Sequence, residues 1–234
     1  MQGERATLTV TSPPYNIGGR SGFPNSKSIG ESKYQFQADK LPHAEYLSLL
    51  VNATENALSV SNVVVVNLQM LAANKRAVVE YLYHFREHLI DVAIWDKQHV
   101  QPVITKNVLN ARFEFLFFFT YKKSKGITPR TIPTADFRGT IQNVYAAPIQ
   151  RKNAYFTLHA ATFPLHLPTW IIRTFTSTEG AIFDPFLGTG TTLMAAEELG
   201  KTCLGMDIEP VYCELAIARW ERQMGKVAQR IGPL

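Results

Sequence analysis

The chain has 234 residues, 46% hydrophobic and 18% charged, and its 24 Lys and Arg against 19 Asp and Glu give a formal net charge of +5. The hydrophobic fraction excludes a mainly disordered chain, and no apolar run approaches the roughly 20 residues that a membrane-spanning helix needs. Two cysteines, Cys203 and Cys213, make neither a disulfide framework nor a zinc site by themselves. Since the amino terminus also lacks the pattern of a secretory signal, we expect a cytoplasmic protein with one domain, residues 1–234.

The predicted elements begin with a strand, Ala6–Val10, that runs directly into Thr11-Ser12-Pro13-Pro14-Tyr15. The two consecutive prolines end this strand because neither can donate a backbone hydrogen bond. A polar stretch rich in Gly and Ser follows, from Gly18 to Ser32, and predicts a loop. The hydrophobic periodicity then predicts two helices, His43–Leu58 and Ala77–His88, and three strands, Val63–Leu68, Asp91–Trp95 and Phe113–Thr120.

The segment Tyr121–Asn153 interrupts this alternation with three prolines and scattered basic residues. We interpret it as an irregular insert and not as a layer of the core. Its basic side chains suit either a solvated loop or contact with a polyanion such as a nucleic acid. They accompany a single acid, Asp136, and are Lys122, Lys123, Lys125, Arg130, Arg138, Arg151 and Lys152.

Regular structure resumes after the insert. The pattern predicts helices near Leu167–Phe175, Thr192–Leu199 and Val211–Met224, with strands at Ala181–Phe183 and Thr202–Met206. Strands that alternate with helices predict an α/β fold with a parallel sheet.

The segment from Ile182 to Thr192 has the pattern of a strand, a tight glycine turn and the start of a helix. Gly188 and Gly190 can adopt positive φ and allow a ligand to approach the backbone closely, while Thr191 and Thr192 are placed to cap the helix. The next strand ends at Asp207, beside the turn, where acids bind ribose hydroxyls in mononucleotide-binding folds.

Two phosphate-binding motifs are absent from this turn, and their absence restricts the class of ligand that it can bind. The third glycine of the dinucleotide fingerprint is absent, and so is the Gly-Lys-Ser/Thr of a phosphate-binding loop. An uncharged turn opposite an acid favours a nucleoside without phosphates, such as S-adenosylmethionine. The alternative is a turn that only links strand to helix, with Asp207 as a helix cap.

The turn Ser12-Pro13-Pro14-Tyr15 is the second constellation of candidate functional residues, after the glycine turn with Asp207. Its prolines hold the Pro13 carbonyl in a fixed direction, Ser12 adds a hydroxyl acceptor, and Tyr15 offers an aromatic face. Two acceptors and an aromatic ring suit chemistry on the exocyclic amino group of a base that has left the double helix. The alternative is an ordinary Pro-Pro turn that closes a strand.

Together these two constellations resemble the β-class amino-methyltransferases of DNA, which modify cytosine N4 or adenine N6. The Ser/Asp-Pro-Pro-Tyr motif comes first and the cofactor motif near the carboxyl terminus, as in that class. Further matches are Trp95-Asp96-Lys97, Phe113-Glu114-Phe115 and His159-Ala160-Ala161-Thr162-Phe163-Pro164, and the resemblance spans Leu8 to Arg222. It implies a Rossmann-like, circularly permuted methyltransferase fold that uses S-adenosylmethionine.

The resemblance also implies residue roles. Ser12 and the Pro13 carbonyl would orient the target amino group, with Pro14 completing the turn and Tyr15 stacking on the flipped base. The cofactor side would consist of Asp184 near the methionine amino group, Asp207 on the ribose, and Phe186, Gly188, Gly190, Thr191, His159 and Phe163 around the remainder. Residues 1–120 would form the catalytic half, 121–153 the target-recognition insert that contacts DNA, and 154–234 the cofactor-binding half.

Cytosine N4 is the favoured target, because in this family the Ser form of the first motif usually accompanies it, and adenine N6 is the alternative. Methylation of cytosine carbon 5 is excluded, since that reaction needs a cysteine nucleophile and no Pro-Cys motif exists.

Only ten residues precede Thr11, too few for the further strand and helix that family members normally have there. We therefore expect a sheet that lacks an edge strand, with an adenine pocket left open or completed by a second copy or another subunit. A truncated relative that binds DNA with weak or no catalysis is the rival interpretation.

Overall fold

The computed structural model describes residues 5–17, 40–100, 102, 106–124, 126, 129–149, 164–177 and 179–232. Within these ranges the chain forms seven strands and five helices. In chain order they are β1 (Ala6–Thr11), α1 (His43–Val60), β2 (Ser61–Leu68), α2 (Lys75–His84), β3 (Leu89–Asp96), β4 (Phe113–Thr120), β5 (Val144–Ala146), α3 (His166–Phe175), β6 (Ile182–Asp184), α4 (Thr191–Glu198), β7 (Cys203–Gly205) and α5 (Pro210–Met224).

All seven strands belong to one sheet, in the order β5-β3-β4-β2-β1-β6-β7. The α/β prediction is confirmed, but the prediction of a wholly parallel sheet is wrong because β4 runs antiparallel to both of its neighbours. β3 leads into its neighbour β4, and antiparallel pairing of consecutive strands needs no crossover helix. The other strands run in one direction, so their carboxyl ends meet at a single edge of the sheet.

Helices cover both faces of the sheet. The alternating side chains of β2 show which helices lie on each face. Val64 and Val66 pack with buried residues of α1 and α2, whereas Val63 and Val65 pack with α3 and α4 on the opposite face. Every valine of this run is nearly inaccessible to solvent, which agrees with the expectation for a strand buried on both faces.

The insert contributes to the core, contrary to the prediction. Its residues Val144–Ala146 form β5, which pairs with the carboxyl-terminal half of β3 and ends the sheet on that side. Ile132 and Ile149 pack against the buried cluster that surrounds α3. A three-residue strand is too short for periodicity to reveal, so the prolines and basic residues dominated the prediction.

The opposite end of the sheet is β7, which pairs with β6. In the part of the chain that the structure describes, no strand lies on its other side. Leu204 and Met206 are exposed there.

None of the helices among the described residues has both the length and the apolar character needed to cross a membrane.

Candidate active site

The two turns that the sequence singles out lie at the same edge of the sheet. The turn that begins at Ser12 follows β1, and the turn that begins at Pro185 follows β6, the strand beside β1. β7 leads to Asp207 at the same edge. Since loops at the carboxyl ends of parallel strands form the usual ligand-binding crevice of open α/β sheets, this edge is the candidate active site.

The carboxylate of Asp184 connects the two turns by hydrogen bonds. One carboxylate oxygen accepts hydrogen bonds from the Thr11 hydroxyl at 2.8 Å and the Phe186 amide at 3.0 Å, and the other accepts from the Thr192 hydroxyl at 2.6 Å. The side chain is almost wholly buried. Asp184 therefore lies beneath the crevice and fixes β1 against the glycine turn.

Burial raises the pKa of Asp184 to about 6, and the nearby charge of Asp207 adds to the rise, while its three donors oppose it. In the unfolded chain the group ionises near its ordinary value of 3.8. Between those two values the folded state binds more protons than the unfolded state, so stability falls as the pH rises.

We expect the free energy of unfolding to decrease by about 2 kcal/mol between pH 4.5 and pH 7 because of this group. An Asp184→Asn variant cannot ionise there and loses that contribution. Urea unfolding of both proteins across this range gives the difference between their free energies of unfolding. The contributions of the other titrating groups cancel in that difference. A difference that stays constant with pH would contradict the raised pKa.

The glycine turn depends on two positive backbone angles, φ +53° at Gly188 and φ +80° at Gly190. At Gly190 an added Cβ would lie 3.0 Å from the Cβ of Ala216 on α5, so this helix packs directly on the turn. From α5, Arg219 donates hydrogen bonds to the Thr189 carbonyl and the Thr191 hydroxyl. The turn is thus held by glycine conformation and by α5.

The threonines after the turn do not cap α4, contrary to the prediction. α4 begins at Thr191 after a left-handed Gly190, with no side-chain cap. The Thr191 hydroxyl contacts Arg219, and the Thr192 hydroxyl is used by Asp184. The side chain of Thr191 therefore lies behind the turn.

Asp207 lies above the turn, partly exposed. Its Oδ2 accepts a hydrogen bond from the Gly188 amide at 2.8 Å, and its Oδ1 accepts one from the Glu209 amide at 3.0 Å. A carboxylate has about four acceptor positions, so two remain for a ligand.

The Ser-Pro-Pro-Tyr turn is fixed by side chains from α1 and from the loop before α2. The Tyr46 hydroxyl of α1 donates to the Pro14 carbonyl at 2.9 Å, and the Asn74 amide donates to the Tyr15 carbonyl at 2.7 Å. The Asn16 side chain donates from its amide nitrogen to the Leu41 carbonyl and accepts a hydrogen bond from the Leu41 amide with its oxygen. This leaves Ser12, at the start of the turn, partly exposed toward the crevice.

A polar network lies under this turn. The Tyr15 hydroxyl is 2.7 Å from a carboxylate oxygen of Glu114 and 3.0 Å from the amide oxygen of Asn67, and Ser12 donates to it at 3.3 Å. The other oxygen of Glu114 is 2.7 Å from the ammonium of Lys97, and the two side chains are only 10% and 9% exposed. Burial and the Glu114 charge raise the pKa of Tyr15 well above its usual value.

Asn67, Lys97 and Glu114 have no role in the predictions from the sequence. Lys97 and Glu114 belong to the short matches Trp95-Asp96-Lys97 and Phe113-Glu114-Phe115, but nothing in the sequence pairs them. One signal in the sequence is that Glu114 is a lone charge in an otherwise apolar strand, where a buried acid needs a partner.

Among the predicted basic residues that the structure describes, Lys122, Lys123 and Arg130 lie away from this crevice. Lys122 and Lys123 follow β4, which runs antiparallel, so they lie at the opposite edge of the sheet, where Tyr121 stacks under Arg5. An eight-residue strand separates the two edges by about 25 Å. Arg130 is paired with Asp91 through two nitrogens, and Arg138 is exposed.

Several predicted site residues lie outside the described residues. They are His159 and Phe163 on the cofactor side, and Lys125, Arg151 and Lys152 among the basic residues.

Comparison with known proteins identifies relatives over nearly the whole chain. A family model described as DNA methylase matches residues 6–218. The type II methyltransferase M.SmaI of Serratia marcescens is 27% identical over 134 residues, 54% of this chain and 44% of the relative. The type II beta methyltransferase M.BslI of Bacillus sp. (strain NEB-606) is 28% identical over 234 residues, 88% of this chain and 24% of the relative. The chain thus spans less than half the length of these curated relatives.

Solved structures with the same fold include the PvuII DNA methyltransferase, described as cytosine-N4-specific. It has a TM-score of 0.67 at 17% identity, with 93% of this chain and 80% of that chain covered. A complex of M1.HpyAVI with S-adenosylmethionine has a TM-score of 0.56 at 20% identity, with 93% and 90% covered.

Proposed function

Because the chain belongs to the DNA methylase family, we propose that it transfers a methyl group from S-adenosylmethionine to an exocyclic amino group of a DNA base. One observation supports this above all. The Ser-Pro-Pro-Tyr turn and the glycine turn follow neighbouring strands and are joined through Asp184, which binds Thr11 at 2.8 Å. A base held by the first turn and a cofactor held by the second would meet in one crevice.

The residues of the glycine turn fit S-adenosylmethionine. The two glycines keep the backbone open to a close ligand, and the described turn carries no cation of the kind that a phosphate would need. Asp207 would hold the ribose hydroxyls with its two remaining acceptor positions, and Phe186 would contact the apolar part. The bound sulfonium supplies the methyl group and needs no nucleophile from the protein.

Ser12 and Pro13 would act on the acceptor amine. The Ser12 hydroxyl oxygen and the Pro13 carbonyl accept its two N–H groups and direct the nitrogen lone pair into the crevice. Holding reactants in line in this way accounts for several kcal/mol of a barrier. The half-buried ring of Tyr15 would support a base taken out of the double helix.

Cytosine N4 is the proposed target. Ser12 in the first motif position supports it, and a neighbour in fold, the PvuII enzyme, is described as cytosine-N4-specific. The order of the motifs along the chain supports the β class. Double-stranded DNA is the proposed partner. The exposed residues 106–112, which precede β4 and include Lys106 and a 92% exposed Leu109, are the segment that we expect to face it.

Nucleoside mass spectrometry tests the proposal. The purified chain is incubated with S-adenosylmethionine and unmethylated genomic DNA, which is then digested to nucleosides. We expect N4-methylcytosine, and none with a Ser12→Ala variant that binds the cofactor normally. N6-methyladenine would keep the mechanism and change the base. Absence of any new methylated base, combined with absence of cofactor binding, would favour a DNA-binding relative without catalysis.

An Asp207→Asn variant is expected to bind S-adenosylmethionine about 10- to 100-fold more weakly, because a charge-assisted hydrogen bond contributes roughly 1.5–3 kcal/mol. Isothermal titration calorimetry measures this loss. Glu209→Gln is the matched control, since it removes a neighbouring carboxylate and keeps the backbone amide that Asp207 binds. Equal affinities of the two variants would argue against Asp207 as a ribose ligand.

A further inference from the structure

The buried pair Lys97–Glu114 has no part in the function proposed so far, although it lies directly beneath the Ser-Pro-Pro-Tyr turn. Lys97 follows β3 and Glu114 lies in β4, and the antiparallel pairing of these strands brings their charges to 2.7 Å. Glu114 is linked to the crevice by its hydrogen bond with the Tyr15 hydroxyl. The pair is therefore connected to Ser12 through the Tyr15 hydroxyl.

The donors and acceptors of this network permit one direction for the hydrogen bond between Ser12 and Tyr15. An ionised Glu114 is an acceptor only, and the Asn67 amide presents its oxygen to Tyr15 because its nitrogen donates to the Phe115 carbonyl. Tyr15 has one proton, and two acceptors face it. The hydroxyl must donate to Glu114 or Asn67, and its proton is then unavailable to Ser12.

We infer that Lys97 and Glu114 are positioning residues that, together with the Asn67 amide oxygen, keep the hydrogen bond between Ser12 and Tyr15 directed from Ser12 to Tyr15. Ser12 donates its proton to Tyr15, at 3.3 Å, and its oxygen lone pairs remain free toward the crevice. On the proposed function, on which this inference rests, that is the state needed to accept an N–H of the target amine. A Ser12 proton turned outward would instead oppose that N–H.

Lys97 determines the orientation of an amide side chain that replaces Glu114. In a Glu114→Gln variant, the ammonium of Lys97 attracts the amide oxygen, so the amide nitrogen faces Tyr15 as a donor. It then competes with Ser12 for the Tyr15 oxygen. In a Lys97→Met/Glu114→Gln variant no cation holds the amide oxygen, which can turn to accept from Tyr15 and restore the original direction.

Steady-state kinetics of methyl transfer test the inference. We expect Glu114→Gln to lower kcat by about 10- to 100-fold, with KM for DNA and for S-adenosylmethionine unchanged. Lys97→Met/Glu114→Gln should recover most of this loss. Glu80→Gln, which removes a carboxylate paired with Arg76 on α2, is the matched control and should leave kcat unchanged.

A double-mutant cycle separates positioning through Tyr15 from any other effect of Glu114. Tyr15→Phe keeps the ring and removes the hydroxyl, so adding Glu114→Gln to it should cause no further loss of kcat. A further loss of the same size in this background overturns the inference, as does an unchanged kcat in a folded Glu114→Gln variant.

A second measurement does not require turnover. With ¹³Cζ-labelled tyrosine, the Tyr15 signal should not titrate up to high pH in the parent chain, and its midpoint should fall in Glu114→Gln because the opposing charge is gone. If this shift occurs but the parent methylates no DNA, the proposed function fails and the hydrogen-bond chain stands. If Tyr15 does not respond to Glu114→Gln, the chain itself is overturned.

Discussion

Replacing Lys97 with Met is expected to destabilise the fold by about 3–5 kcal/mol, because it leaves the buried Glu114 carboxylate without its cation. Both side chains are about nine-tenths buried, so water cannot compensate. The double variant Lys97→Met/Glu114→Gln removes both charges and should be close to the parent in stability. Urea unfolding at pH 7 gives the three free energies.

Arg112→Met is the control for this experiment. Arg112 pairs with Asp96 at 2.6 Å at the same edge of the sheet, but its side chain is 58% exposed. An exposed pair contributes little to stability, because solvent screens its charges. Equal losses for Lys97→Met and Arg112→Met would show that the Lys97–Glu114 pair is not buried as described.

A Gly190→Ala variant is expected to lose about 2–5 kcal/mol of stability. A side chain at φ +80° costs about 1–2 kcal/mol, and overpacking against α5 adds about 1–3 kcal/mol. The new Cβ would lie 3.0 Å from the Cβ and 3.3 Å from the Cα of Ala216, and the helix backbone cannot yield without moving α5. Thermal and urea unfolding measure the loss, and calorimetry should show weakened binding of S-adenosylmethionine.

Gly225→Ala isolates the conformational part of this effect. Gly225 has φ +64° at the end of α5, and a Cβ there meets no atom of the described residues within 4 Å. Its loss should be about 1–2 kcal/mol, the cost of the backbone conformation alone. If both variants lose the same amount of stability, the close packing of α5 on the turn contributes nothing to the loss in Gly190→Ala.

The sequence predicts most of the fold because its signals are local. The strand at Phe113–Thr120 is confirmed at both ends, and the helix that begins at His43 differs only at its end. The direction of β4 is not a local property, since an apolar strand has the same pattern whichever way its neighbours run. The three-residue β5 carries too little periodicity to be recognised.

The candidate site is predicted only in part, for a similar reason. Ser12 and Asp207 each follow a strand, and a turn after a strand is visible in the sequence. Lys97 and Glu114 are neighbours only through strand pairing, as are the two turns themselves. For the basic residues after β4, composition gives their charge and not the edge of the sheet at which they lie, so their contact with DNA stays a prediction.

The pairing of β1 has a consequence for the newly made chain. Thr11 and Asp184 are 173 residues apart, yet their hydrogen bond joins the two turns of the crevice. At about 5–20 residues per second, protein synthesis separates their appearance by roughly 10–35 s. During that interval the first turn exists on the ribosome without β6, Asp184 or the glycine turn. The order of synthesis therefore delays ligand binding until β6 and the glycine turn have been made, and β1 has one unpaired edge until then.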